Sequence, residues 1–327
     1  MKTFLGRRWF LLLLVCGISL AAFWPRGLQP VVNWLPPQWI VGAALFLMAW
    51  GLESRRLAGA LLRPGPILWA LLVSYGALPA LAWSVGPLLG DTDLRLGLLI
   101  VASVPCTLAS AALWTRFAGG NEAIALCVVF ATTATSWLFT TTWLAWGAAA
   151  QVAVDAGNMM LGLVLFLIVP VGLGQLLRLS LTLARAAARW RVPLGVLSRL
   201  LIFCIILKAA VDVSLRLGEG SASLSAVAFL LTATLCVGTH LLAFAAGFAG
   251  SRVFGFDRPS QIAVAFSGSQ KTLPVALLLF DRYFKEEYPL AVVPLLFYHV
   301  GQLLVDTFIA DALAGRPARP LEQETAA

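Results

Sequence analysis

A serine, a glutamine, a lysine and a threonine stand in a row, Ser269-Gln270-Lys271-Thr272, inside an otherwise apolar stretch from Ile262 to Phe280. Flanked by Gly268 and Pro274, they carry hydroxyls, an amide and an ammonium into a segment with the composition of a membrane core. In lipid each such group needs a partner or water, and irregular backbone at that depth is tolerated only against protein or a water-filled cavity. A second interruption, Ala102-Ser103-Val104-Pro105-Cys106-Thr107-Leu108-Ala109-Ser110, breaks an earlier apolar segment. Two broken hydrophobic segments at corresponding places of two halves point to a solute site where they cross, as in secondary transporters. The candidate substrate- or ion-binding residues are then Pro105, Cys106, Thr107 and Ser110 on one side, with Gly268, Ser269, Gln270, Lys271 and Thr272 on the other.

Lys271 carries the sharpest chemistry. A cation near the bilayer centre costs about 2.5–3.5 kcal/mol on insertion scales, so carbonyls, hydroxyls or a substrate must offset it. Two roles are open: a group that binds solute or exchanges a proton during transport, and an ammonium that only pins the crossing helices. Half-helix N-termini after the breaks would turn positive dipole ends toward the crossing. With Lys271 this favours an anionic solute. Thr132, Thr133, Ser136 and Thr140 recur on one helical face, and Thr133 and Ser136 join the candidate lining. Helix packing by small polar residues explains that face equally well. His240 and His299 lie in apolar segments, as packing residues or as proton-coupling groups. Lys208 and Asp212, four apart, are expected to pair. Asp306 is expected at the membrane interface, which leaves no carboxylate beside the breaks and counts against an ion/proton antiporter.

These groups need a membrane scaffold. The chain has 327 residues, 60% hydrophobic and 12% charged, with a mean hydropathy of +0.90. Soluble domains are about a quarter charged, so the expectation is an all-α integral membrane protein. The net charge of +8 lies in short gaps between apolar runs, so it speaks for membrane orientation and not for nucleic acid. Cys16, Cys106, Cys127, Cys204 and Cys236 read as small buried hydrophobes; Cys106 stands apart because it lies in the first break. The basic start and the apolar run Trp9 to Trp24 imitate a signal peptide, but Phe23-Trp24-Pro25-Arg26 offers no small-residue cleavage site. There is no Gly-rich phosphate loop for a nucleotide-driven pump and no motif of an intramembrane enzyme, so neither catalysis nor a cofactor is expected. Sodium, a proton or no ion are the open alternatives for coupling. The expected partners are the bilayer and a small organic solute. A non-transporting sensor of the same fold stays open beside the transporter.

Measured against about 20 residues per crossing, ten segments fit: 9–25, 38–54, 66–88, 94–117, 122–146, 158–179, 194–216, 222–253, 258–284 and 288–313. With the N-terminus cytoplasmic, the outer connectors hold only Arg26, Arg95, Arg216, Arg282 and Lys285. Sixteen basic residues face inward, and Lys208 and Lys271 fall inside segments. That bias places both termini in the cytoplasm. Thr107-Leu108 and Thr272-Leu273 stand 165 residues apart. Five segments per half is odd, so the halves would be inverted repeats, 1–146 and 147–315, followed by a tail, 316–327.

At these residues the chain resembles the bile acid–sodium symporter family, above all its bacterial branch. Gly268-Ser269-Gln270-Lys271-Thr272-Leu273 is the most specific match. Leu45 to Glu53 with Leu62-Arg63-Pro64, Leu78 to Trp83, Pro105 to Ser110 and Ala118 to Ala123 extend the resemblance over nearly the whole chain. The resemblance implies ten helices, with a panel domain from helices 1, 2, 6 and 7. The core domain comes from helices 3–5 and 8–10, with helices 4 and 9 unwound and crossing. It implies alternating access and a bacterial inner membrane location. Ser110 and Gln270 keep positions of the family's sodium site. Other positions depart from it: Phe266 stands for a glutamate, Lys271 for an asparagine, Ala111 for a second asparagine and Ser74 for a glutamine. Ala125 and Val129 stand for two hydroxyl ligands. Sodium needs several oxygen ligands including an anionic one, so this set argues against sodium coupling, with the Lys271 ammonium in the ion's place.

Overall fold

Prolines and short polar side chains set where the helices begin. Pro25, Pro37 and Pro64 stand at the start of their helices, where a missing N–H costs nothing and the fixed φ suits the first turn. Asp91, Asn121, Asp155, Ser225 and Asp257 each stand one residue ahead of a helix and accept from a backbone N–H of its first turn. That bond satisfies a donor the helix cannot.

The computed structural model describes residues 2–53, 60, 62–108, 110–148, 155–218 and 225–314. Arg55 and Arg56, the stretch 149–154 beyond the expected repeat boundary, and the tail 316–327 lie outside them. The described residues form helices and turns, with no strand among them. The helices of the first half are α1 (Lys2–Phe23), α2 (Pro25–Asn33), α3 (Pro37–Gly51), α4 (Pro64–Leu89), α5 (Thr92–Ser103), α6 (Ser110–Phe117) and α7 (Glu122–Gly147). Those of the second are α8 (Ala156–Leu177), α9 (Leu181–Arg189), α10 (Arg191–Gly218), α11 (Ala226–Val253), α12 (Arg258–Ser269), α13 (Leu273–Leu279) and α14 (Val292–Ala314). The basic stretch Arg178–Arg191, between the expected sixth and seventh segments, contains α9.

Among the described residues, seven stretches are long and apolar enough to cross a membrane: α4, α7, α8, α10, α11, α12 with α13 through Phe284, and Pro289–Ala314 containing α14. Leu12–Phe23 of α1 and Pro25–Asn33, bent by 112° at their break, make an eighth if counted as one broken span. Of the ten expected segments, the second is a shorter apolar helix of 15 residues, α3, and the fourth is divided into α5 and α6. Large apolar side chains such as Leu68, Leu173, Leu230 and Phe308 are half or more exposed, the surface of a protein solvated by lipid. Trp24, Trp34, Trp39, Trp83 and Trp146 are exposed at or near helix ends, where indole suits the membrane–water boundary.

α3 lies between α8 and α10, and α1 and α2 pack on α10. α12 sits among α4, α6, α7 and α11, and α14 lies against α5 and α11. The apolar window of Arg258–Phe284 is wholly buried, against 28–56% in the other six spans. The segment richest in polar groups is therefore the one farthest from lipid.

Two local devices position the site. In the turn from α6 to α7, Gly119 has φ +76, a conformation glycine adopts without strain. A Cβ on the next residue, Gly120, would come within 2.6 Å of Ile262 and 2.7 Å of Thr115, so glycine lets this turn press against α12, where Asn121 N donates to Pro259 O (2.9 Å). In α4 the backbone widens into a π turn at Val73–Ala77, and Leu78 N donates back to Val73 O. Pro79 follows in the same helix with no N–H to give to Ser74 or Tyr75. Their carbonyls turn elsewhere: Tyr75 O accepts from Trp143 Nε1 (2.6 Å), and Ser74 O accepts from Lys271.

Candidate functional site

The two breaks meet. α5 ends at Ser103 and α12 at Ser269, each 12 residues long and each followed by an extended residue, Val104 or Gln270. Backbone that leaves the helix exposes its polar groups, and at this depth each must find a partner. Thr272 N donates to Pro105 O (3.0 Å), joining the breaks directly. Gln302 of α14 clamps the peptide groups of Lys271, its Oε1 accepting from Lys271 N (2.9 Å) and its Nε2 donating to Lys271 O (2.8 Å). Ser269 O accepts from Tyr298 Oη (2.7 Å) and from His240 Nδ1 (3.3 Å). Cys106 N donates to Thr132 Oγ1 (3.3 Å), and Thr140 Oγ1 donates to Ser103 O (2.8 Å).

The Lys271 ammonium is fully buried. Its three hydrogens match three oxygens: Ser74 O at 2.7 Å, Val104 O at 2.8 Å and Ser74 Oγ at 2.9 Å. Nζ also lies 5.1 Å from the centre of the Tyr75 ring, within cation–π range. All these partners are neutral. The geometry is that of a cation held by carbonyl and hydroxyl oxygens, with the cation supplied by the chain.

Beside it runs a chain of polar side chains. Thr107 and Ser110 hydroxyls reach Gln270 Oε1 at 3.0 and 2.8 Å. Gln270 Nε2 donates to Asp306 Oδ2 (2.5 Å), and Asp306 Oδ1 lies 2.8 Å from His240 Nε2. Ser110 alone of these is part-exposed; Gln270, His240 and Asp306 have no exposed surface. Asp306 is therefore not interfacial as expected, and a carboxylate does stand beside the second break.

Other expected residues fall into different surroundings. Ser269 Oγ turns back to Ala265 O (2.8 Å). A Cβ on Gly268 would meet Val73 at 3.1 Å, so this glycine serves close packing of α12 on α4. Ser136 Oγ bonds to Thr133 O of its own helix, and Thr133 Oγ1 is buried without a partner; Thr132 and Thr140 of that face are the ones that reach the first break. His299 Nδ1 accepts from Gln302 Nε2 (3.1 Å). Lys208 does not pair with Asp212: it reaches Val32 O (3.4 Å), and Asp212 pairs with Lys285 (2.8 Å). Sequence reasoning missed Tyr298, Gln302 and Asp306. Their spacing of four, polar on an otherwise apolar helix, marks one face of α14.

A cavity of about 390 Å³ lies between the end of α3, the α6–α7 turn and the start of α10, lined by Glu53, Arg116, Asn121, Glu122 and Arg191 among others. At the opposite end of α10, Asp212–Lys285 and Arg216–Glu286 (3.9 Å) tie that helix to the stretch before α14.

The profile of the SBF-like CPA transporter family matches residues 8–315. The uncharacterized protein YbaS of Bacillus subtilis (strain 168) is 31% identical over 146 residues, 44% of this chain and 47% of YbaS. The probable sodium/metabolite cotransporter BASS1, chloroplastic, of Arabidopsis thaliana is 24% identical over 267 residues, 80% of this chain and 63% of that protein. The match thus spans about half of YbaS and under two thirds of BASS1. Sodium/bile acid cotransporter 7 of Mus musculus is 24% identical over 326 residues, 94% of this chain and 92% of the mouse protein. With its apolar helices and a family match over nearly its whole length, this multi-pass membrane protein belongs to the SBF-like CPA transporter family.

Proposed function

We propose that the protein is a secondary active transporter that moves a small organic anion by alternating access, with the solute held at the crossing of the two breaks. The observation that carries this reading is the Lys271 ammonium, buried at the crossing with three neutral oxygens and no carboxylate partner. The nearby acid, Asp306, already has His240. The crossing therefore keeps a positive charge, which an anionic solute would complement. Thr107, Ser110 and Gln270 supply hydrogen-bonding groups beside it.

We read ten crossings, counting α1, α3 and the α5–α6 pair with the seven long spans, arranged as two inverted repeats. Matching 12-residue half-helices, each capped by an aspartate, support that repeat. α1, α3, α8 and α10 form the panel, and the remaining spans form the core. With both termini in the cytoplasm, the cavity at Glu53 and Arg191 opens inward and the Asp212–Lys285 pair closes the outer end. Lys271 stands where a sodium ion would otherwise bind, so sodium is not the coupling ion. BASS1 and the cotransporter 7 proteins are named for sodium coupling; this chain replaces that ion with its own ammonium.

The test is uptake of a panel of radiolabelled organic anions, bile acids included, into proteoliposomes under a sodium gradient, a proton gradient or neither. Sodium-independent accumulation that Lys271→Ala abolishes is expected; uptake that needs sodium would overturn the reading. A second reading, monovalent cation/proton exchange, is favoured by Asp306 beside the break. Its mark would be proton movement on adding sodium or potassium with no organic solute present.

A further inference from the structure

We propose that His240 and Asp306 together form a proton-binding site, and that the bound proton holds the second break onto α14 through Gln270. The two ring nitrogens of His240 face two different oxygens. Nδ1 lies 3.3 Å from Ser269 O, and a carbonyl oxygen has only lone pairs to offer, so Nδ1 carries a hydrogen. Nε2 lies 2.8 Å from Asp306 Oδ1. A bare ring nitrogen and a carboxylate are both acceptors, so contact at that distance requires one proton between them. The pair thus holds one proton more than a neutral histidine beside a carboxylate, and its net charge is zero.

No other group supplies what that proton supplies. Asp306 is the only buried carboxylate among the described residues. Around the pair, Tyr298 stands edge-on at 5.8 Å with its hydroxyl on Ser269 O, and His299 turns to Gln302. Cys236 on the same helix faces Pro294 O, and Cys106 faces Thr107 O. Tyr75 bonds Thr132 O, and the Lys271 ammonium is held by Ser74 and Val104. None of them donates to Asp306.

Asp306 Oδ2 is the acceptor for Gln270, whose other end takes Thr107 and Ser110. When the bridging proton passes to water and Nδ1 keeps its hydrogen on Ser269 O, lone pair faces lone pair at Nε2 and Oδ1, and the pair itself is left with a net negative charge. Both effects drive the carboxylate and the ring apart. Asp306 then leaves its place against Gln270, and the strap from α14 to the first break is released. The transporter reading supplies the consequence, a proton bound and released in each cycle, but the site itself is read without any solute.

The chain has two histidines, so full-length protein labelled with ¹⁵N-histidine and reconstituted in lipid gives two sets of ring signals, which His240→Gln assigns. At low pH the His240 Nε2 signal should report a hydrogen-bonded proton, and raising the pH should convert it to a bare nitrogen in one step. Asp306→Asn should abolish that step. In solute-free proteoliposomes on a solid-supported membrane, pH jumps should displace charge in the wild type and not in His240→Gln or Asp306→Asn. A His240 signal that does not change with pH, an unchanged titration in Asp306→Asn, or equal displaced charge in all three proteins would overturn the proposal. If a variant does not fold, the wild-type titration alone decides it. Absence of uptake for every anion tested would remove the organic-anion reading and leave this titration standing.

Discussion

Gln302 shows how one side chain makes a broken helix possible. It takes both the N–H and the C=O of Lys271, the two backbone groups that the unwinding leaves without helical partners. A buried polar group left unpaired costs about 1–3 kcal/mol. Gln302→Leu is therefore expected to lower the thermal stability of the purified protein by roughly 2–6 kcal/mol for the two groups together. His299→Ala, which removes one contact to Gln302, should have a much smaller effect. A melting curve of each variant in detergent decides it, and equal melting temperatures would contradict the clamp. Lys271 was legible from the sequence because an ammonium in an apolar run is conspicuous. Gln302 and Asp306 were not, because an amide or acid on a helix that ends near an interface looks solvated until its neighbours are known.

Among the elements, α4 carries the least obvious contribution. Its π turn and Pro79 together free the carbonyl that holds Lys271. Proline inside a helix costs about 3 kcal/mol, a cost that continuous helix would avoid. Pro79→Ala should restore an N–H that competes for Ser74 or Tyr75. The expected outcome is stability equal to or above the wild type with transport reduced several-fold; unchanged transport would mean the freed carbonyl is incidental. Gly120 makes the converse case. A methyl there would press on Ile262 and Thr115, so Gly120→Ala should destabilise by roughly 1–3 kcal/mol through overpacking, measured by the same melting assay.

Across the whole molecule, charged contacts at the C-terminal end of α10 tie that helix to the stretch between α13 and α14. Burial opposes the charge on Lys285, but the carboxylates of Asp212 at 2.8 Å and Asp281 at 3.6 Å, with Glu286, outweigh it and hold its pKa above the ordinary lysine value. A raised folded-state pKa means the stabilisation is fully present below the unfolded lysine pKa and is lost only as pH rises through the folded one. Lys285→Met should therefore cost about the same at mildly acid and mildly alkaline pH, roughly 1 kcal/mol for a partly exposed pair. An effect confined to acid pH would contradict this assignment. Under the alternating-access proposal, the variant should also speed labelling of a cysteine placed beside Asp212 at that end of α10.

The sequence by itself determined that the chain is helical and lipid-solvated, where most helices lie, and that two of them are interrupted. Those properties follow from apolar run length, proline and the cost of polar groups in lipid, all of which are local along the chain. Only the tertiary structure decided which partners the interrupted stretches take. Lys271 lies far along the chain from Ser74 and Val104, and Gln270 is similarly distant from Thr107. Asp306 became a buried partner of His240 because α14 packs against α11 beside the second break. Pairings across such separations depend on how helices stack, and nothing in the local pattern encodes which polar face will meet which.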